Sequence, residues 1–190
     1  MPAGSRLPVA CAVAAAFALA ACGRVDGGDA ARYSGKTFDG TVRMKTNTPT
    51  AAASALLDAV EDAIGGLSIR REAMQTRINR CQGAQGEQRD DLFYAWVGLR
   101  GMAGQGDIAE QIRRIHGQWV ERGWEITRFR TLDNGGVNLA ATDPATGNTY
   151  MLDSGFDVAP DAALAGFFNT PCFQSAEGKV DFGDITLSPR

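Results

Sequence analysis

The chain has 190 residues, 44% of them hydrophobic, which is enough for one globular domain with its own core. Its formal net charge of −3 comes without a basic stripe, and this excludes nucleic acid as an expected partner. The chain has a single histidine, His116, and no G-x-S-x-G, H-E-x-x-H, D-x-D-x-D-G or P-loop pattern, so we predict no catalytic residue, no metal and no cofactor.

The first element in chain order is an N-terminal targeting segment. After Arg6, an apolar run of small residues continues for about 15 positions, fewer than the roughly 20 that a membrane-spanning helix needs. The run stops at Leu-Ala-Ala-Cys22, which resembles a bacterial lipobox, where the cysteine is lipidated and becomes the first residue of the mature chain. The pattern predicts a signal peptide over residues 1–21 and a lipid anchor at Cys22.

The segment after Cys22 is rich in Gly, Asp, Arg and Ala and has no apolar periodicity, so residues 22–40 are predicted to be a flexible tether. The domain is then expected on the extracytoplasmic face of the cell membrane. An ordinary signal peptide with an incidental cysteine is the alternative.

The folded domain is predicted over residues 41–175 and opens with a short strand over residues 41–45. Thr48 and Pro49 then have the chemistry of a helix start, because threonine caps and proline suits the first turn. Apolar residues recur on one face after them, which predicts a helix over residues 49–64.

Two extended segments follow this helix. Residues 67–81 are predicted to form an extended arm that leads into Cys81. The segment "LFYAWVGLR" from residue 92 is apolar on both faces, as in a central strand. If the second face of the sheet is uncovered, Phe93, Val97 and Leu99 would be exposed and form a candidate binding surface.

A second helix is predicted to begin after its cap Asp107 and to end at Gly123. A β-meander follows, with strands at residues 124–132, 137–143 and 149–156. A short helix is predicted within "PDAALAGFF", residues 160–168, and a loose polar tail over residues 176–190. The order β-α-β-β-α-β-β-β predicts an α+β fold with two helices packed on one face of a mainly antiparallel sheet.

The chain has four cysteines, of which Cys11 would leave with the signal peptide and Cys22 would carry lipid. Cys81 and Cys172 remain, and an even pair in an oxidising compartment predicts a disulfide. Two free thiols, or half of a metal site, are the alternatives.

These features share their order with a known family. The lipobox, "NRCQG", the second helix that turns at glycine into "WEITRFRTL", and "NTPCF" together resemble the LppA-like lipoproteins of mycobacteria and related actinobacteria, over residues 49–173. The resemblance implies an anchored extracytoplasmic lipoprotein with Cys81 bonded to Cys172, and it implies no particular reaction.

The sequence therefore favours a non-enzymatic lipoprotein that is tethered to the membrane and binds an envelope protein, lipid or glycan. A structural or assembly partner that docks by adding a strand to its sheet edge is the alternative. A hydrolase is the weakest hypothesis, and it requires His116 to face a cleft beside a serine or an aspartate.

Overall fold

The computed structural model describes residues 44–67, 74–102, 107–158 and 161–187, so the predicted signal peptide, Cys22 and the tether lie outside the described residues. Within these ranges the elements in chain order are β1 Thr46–Asn47, α1 Pro49–Ala63, β2 Met74–Gln82, β3 Gln88–Met102, α2 Ile108–Glu121, β4 Glu125–Thr131, β5 Val137–Thr142, β6 Thr149–Val158, β7 Asp161–Asn169, β8 Phe173–Ser175 and β9 Gly183–Asp184.

Local side chains fix where both helices begin. The Thr48 hydroxyl accepts a hydrogen bond from the amide of Ala51 at 3.2 Å, and Pro49 occupies the first turn of α1. The Asp107 carboxylate accepts from the amides of Ala109 and Glu110, so that α2 is capped in the same way. Both predicted helices are confirmed.

The described strands form one sheet, which is antiparallel except where β1 pairs in parallel with β8. The order across it is β9-β2-β3-β7-β6-β5-β4, and β8 and β1 lie beside the first half of β3. The long strand β3 therefore pairs with β2 along one edge and with β8 and then β7 along the other. The predicted α+β class, with helices on a mainly antiparallel sheet, is confirmed.

The core lies between the helices and one face of the sheet. Its helical members are the buried residues Ala52, Ala53, Leu56, Leu57, Val60 and Ala63 of α1 and Ile108, Ile112, Ile115 and Trp119 of α2. Trp119 has no exposed surface, and its indole N–H donates to the carbonyl oxygen of Ala63 at 3.0 Å. Its ring packs with Trp124 and Tyr150, with ring centroids 5.1 and 5.7 Å away. The two helices are thus joined to each other and to the sheet.

The predicted disulfide is confirmed between Cys81 and Cys172. Cys81 lies where β2 changes register against β3, and Cys172 directly precedes β8. Phe93 of β3 pairs with Arg80 of β2 on one side and with Phe173 of β8 on the other. The bond therefore ties together two segments that flank β3.

The short helix predicted at residues 160–168 is wrong, because Asp161–Asn169 forms strand β7 between β3 and β6. Leu164 and Phe168 face the helices, and Gly166 between them is held close to the Phe168 ring. A Cβ at Gly166 would lie 2.7 Å from the Phe168 Cζ atom. The small residues of this segment thus permit close packing in a sheet and do not build a helix.

The loose tail predicted at residues 176–190 is wrong for the part that the structure describes. Val180 is buried, and its amide donates to the carbonyl oxygen of Asp90 at 2.8 Å. The amide of Ile185 donates to the carbonyl oxygen of Thr76 at 3.0 Å. The folded domain thus continues past residue 175 and covers the β2 side of the core.

Candidate functional site: the open face of the sheet

The two faces of the sheet differ in what covers them. The hydrophobic core cluster contains the helix residues together with alternate residues of each central strand, such as Val97, Leu152 and Phe168. The residues between them point the other way and are not part of that cluster. We call this second surface the open face, and its large side chains are Tyr94, Trp96, Met151 and Phe167.

An aromatic pair forms the centre of the open face. Met151 of β6 lies opposite Phe167 of β7, which lies opposite Gly98 of β3. The Trp96 and Phe167 rings are 6.3 Å apart, and Phe167 keeps 39% of its surface exposed. A Cβ on Gly98 would lie 2.0 Å from Cη2 of Trp96, so the indole ring covers this glycine. Glycine at this position lets the ring lie along the sheet surface.

Polar groups border the aromatic pair on the side of β2. Arg77 lies opposite Trp96 and forms an ion pair of 3.5 Å with Asp184. Burial raises the pKa of the Tyr94 hydroxyl above its ordinary value, and the positive charge of Arg77 partly offsets that rise. The phenol therefore stays protonated at neutral pH and is available as a hydrogen-bond donor.

The opposite border, toward β4, contains two arginines and two carboxylates, those of Asp153 and Glu125. Arg128 and Arg130 lie opposite Ala140 and Asn138 of β5. The Asn138 amide donates to the Asp153 carboxylate at 2.8 Å and accepts from Arg128 at 3.4 Å. Two small buried side chains lie on this part of the face: Ala140, opposite Arg128 and Met151, and Ala165, opposite Asp153.

The structure corrects the predicted binding residues. Phe93 and Val97 have no exposed surface and Leu99 is 2% exposed, because all three face the helices. The prediction that these three residues form an exposed surface is therefore wrong. The residues that alternate with them on β3 face the open side and include the half-buried Tyr94 and Trp96, while the exposed Phe167 lay in the segment predicted as a helix.

His116 lies on α2 and lines neither of the two clefts described below. Its imidazole stacks on the Phe129 ring of β4, with centroids 3.9 Å apart and planes within 6°. Within the described residues, no group of three His, Cys, Asp or Glu side chains is placed to hold a metal ion. Two clefts of about 190 and 230 Å³ open beside β1, below the roughly 300 Å³ of typical small-molecule sites.

Comparison of the chain with protein-family models, with curated proteins and with solved structures finds no match. Across the described ranges, no helix is both long and apolar enough to cross a bilayer.

Proposed function

We propose that the protein is a non-enzymatic LppA-like lipoprotein, anchored through Cys22 to the extracytoplasmic face of the cell membrane, whose open face binds another envelope protein. The observation that carries the binding role is the pair of Trp96 and Phe167 on a sheet face that the helices do not cover. A soluble domain gains little by keeping two aromatic rings on its surface unless a partner covers them.

The composition of the open face favours a protein as the partner. Protein interfaces are enriched in Trp, Tyr, Phe, Met and Arg and depleted in Lys, and energetic hot spots are most often Trp, Tyr and Arg. The open face presents Tyr94, Trp96, Met151 and Phe167 together with arginines. The described lysines, Lys45 and Lys179, lie outside the strands that form this face.

The charges on the face indicate what surrounds the apolar part of the partner. Arg100 lies opposite Ala165, on the same face as Arg128 and Arg130. The carboxylate between them, Asp153, already accepts hydrogen bonds from Asn138 and from the amide of Gly155. We therefore infer a partner that offers an apolar patch with acidic groups around it, because opposite charges at the rim steer association.

The lipid anchor makes a direct prediction about location. The Cys22→Ala variant should be lost from the membrane fraction, because it removes the thiol that would carry the acyl chains. Fractionation of cells followed by immunoblotting measures this. The matched control is Cys11→Ala, which lies within the predicted signal peptide and should leave the protein on the membrane. Retention of Cys22→Ala on membranes, or release of both variants, would contradict the anchor.

The open face makes a second prediction. A photo-crosslinking amino acid at Phe167 should give a discrete, protease-sensitive adduct in intact envelopes, because this side chain is exposed at the centre of the proposed contact. The Trp96→Ala and Arg100→Glu substitutions should each reduce the adduct about tenfold or more, as expected for hot-spot residues. Arg114→Glu is the control, since this exposed arginine lies on α2, on the helix side of the sheet.

Two results would oppose a protein partner at the open face. An adduct that resists protease but is removed by lipid extraction or glycosidase treatment would assign the face to a lipid or a glycan. Equal loss of the adduct with Arg100→Glu and Arg114→Glu would show that the contact does not depend on the open face.

A second candidate function is assembly through a sheet edge. β4 pairs with β5 on one side, and none of the described strands pairs with its other side. Its sequence, Glu125–Thr131, contains no proline. Such an edge offers backbone N–H and C=O groups to an incoming strand.

A further inference from the structure

The outer edge of β4 coincides with an apolar surface on the helix side of the sheet. Three large hydrophobic side chains are exposed among the described residues; one of them, Phe129 at 43%, lies on β4, and another, Val120 at 51%, lies on α2. His116 precedes Val120 by one helical turn and stacks on Phe129. An unpaired strand edge and an uncovered apolar patch therefore adjoin each other.

A β-bulge in β4 gives the strand an unusual pattern of faces. Ile126 lies opposite Ala141 and Phe129 lies opposite Leu139, so both face the helices. Glu125 and Arg130 instead face the open side. The register shift between Ile126 and Arg128 inserts one extra residue, so side chains three positions apart point the same way. In a regular strand they would point to opposite faces.

The bulge makes β4 complementary to itself. In an antiparallel pair of identical strands, the register that places Ile126 opposite Phe129 also places Glu125 opposite Arg130. Symmetry repeats each pair, which gives two apolar contacts on the helix side and two contacts of opposite charge on the open side. Both members of every pair lie on the same face, as antiparallel pairing requires. The neighbouring register, centred on Phe129, is disfavoured because it places Arg128 opposite Arg130.

We propose that β4 pairs with β4 of a second copy of this chain, which gives a two-fold dimer with one continuous sheet. This inference rests on the edge-strand candidate above, and the residues that pair at the edge are separate from the aromatic pair of the open face. The two α2 helices then lie on the same side of the joined sheet, and Phe129 and Val120 of both copies are covered at the two-fold axis. A closed two-fold contact also removes the strand edge that would otherwise recruit further chains.

Charge exchange tests both the pairing and its register. We expect a concentration-dependent dimer in sedimentation equilibrium of the full chain in density-matched detergent. Glu125→Arg or Arg130→Glu alone should raise its dissociation constant by about tenfold, because each converts two attractive cross-strand pairs into repulsive ones. The double variant Glu125→Arg/Arg130→Glu restores opposite charges and should recover most of the affinity. Arg114→Glu, the same charge change away from the edge, should leave the dimer unchanged.

Three results would overturn the proposal. They are a monomer at all concentrations up to about 1 mM, single variants that dimerise as well as the wild type, or a double variant that does not recover the affinity. Thermal melts identify any variant that does not fold. If one single variant does not fold, the affinity of the folded double variant is compared with that of the wild type and of the remaining single variant. The photo-crosslink at Phe167 reports on the open face separately, so failure of the dimer and failure of the open face are distinguishable.

Discussion

Loss of the Cys81–Cys172 bond should lower the free energy of unfolding by about 4–5 kcal/mol, because the bond joins residues 91 positions apart and restricts the unfolded chain strongly. This is a large part of the roughly 5–15 kcal/mol that holds most domains together. The Cys172→Ala variant should melt about 10–15 °C below the wild type in calorimetry or circular dichroism. The tie between the segments that flank β3 is lost with the bond.

The control for this prediction is the double variant Cys81→Ala/Cys172→Ala. If the covalent bond is what matters, the double variant should melt within about 2 °C of Cys172→Ala, because the bond can be lost only once. Reduction of the wild type should give a similar drop. Additive losses in the double variant would show that the two side chains contribute by packing, and an unchanged melt would show that the bond is not structural.

The helices α1 and α2 and the hairpin of β4 and β5 are the parts of the fold that the sequence predicts well. Thr48 and Asp107 act within one turn of the helix that they cap, so no distant contact is needed to interpret them. The turn between β4 and β5 is equally local, because Gly135 adopts a φ of 83° that favours glycine. Its amide donates to the carbonyl oxygen of Leu132 at 2.9 Å.

The segments that depend on distant neighbours are the ones that the sequence predicts wrongly. β7 is rich in alanine, which favours a helix locally, but it lies between β3 and β6 and pairs with a strand on each side. The tail is polar overall, and only Val180 and a few apolar residues after it fill the β2 side of the core. Neither the strand β7 nor the buried position of the tail can be predicted from the sequence of that segment alone.

The prediction of the candidate binding residues is wrong for a related reason, because it too depends on contacts outside the segment. β3 is apolar on both faces, so alternation separates Phe93, Val97 and Leu99 from Tyr94 and Trp96 but does not say which set the helices cover. The registers with β2 and β7 and the path of the chain into α2 decide that, and none of them is encoded within the strand. Gly98, two residues after Trp96, is a usable signal, because a glycine within a strand leaves space for a neighbouring ring.

The disulfide, the aromatic pair of the open face and the outer edge of β4 lie at different places in the strand order. The disulfide joins β2 to the segment before β8, whereas β4 forms the edge at the far end of the strand order. The aromatic pair of the open face lies on β3 and β7, between these two ends. Substitutions at the outer edge of β4 are therefore expected to add to those at the aromatic pair or at the disulfide, because β5 and β6 separate β4 from β7.

The second large effect is expected at Trp119, where alanine should cost about 3–5 kcal/mol of unfolding free energy. The ring has no exposed surface and contacts Trp124 and Tyr150, so its removal leaves a cavity where the core joins α2 to the sheet. It also removes the hydrogen bond to the carbonyl oxygen of Ala63, one of the last carbonyls of α1, which have no partner within the helix. Urea unfolding, followed by circular dichroism, measures the loss.

Two further variants separate the causes of this loss. Trp119→Phe keeps most of the ring and removes the indole N–H, so it should cost about 1–3 kcal/mol, the penalty for a buried carbonyl left unpaired. Trp96→Ala removes the same kind of side chain from the open face and should cost about 1 kcal/mol or less, because neither α1 nor α2 covers it. If Trp96→Ala destabilises the domain as much as Trp119→Ala does, the open face is covered in the folded protein. In that case, the packing of both helices on the opposite face does not by itself account for the stability of the domain.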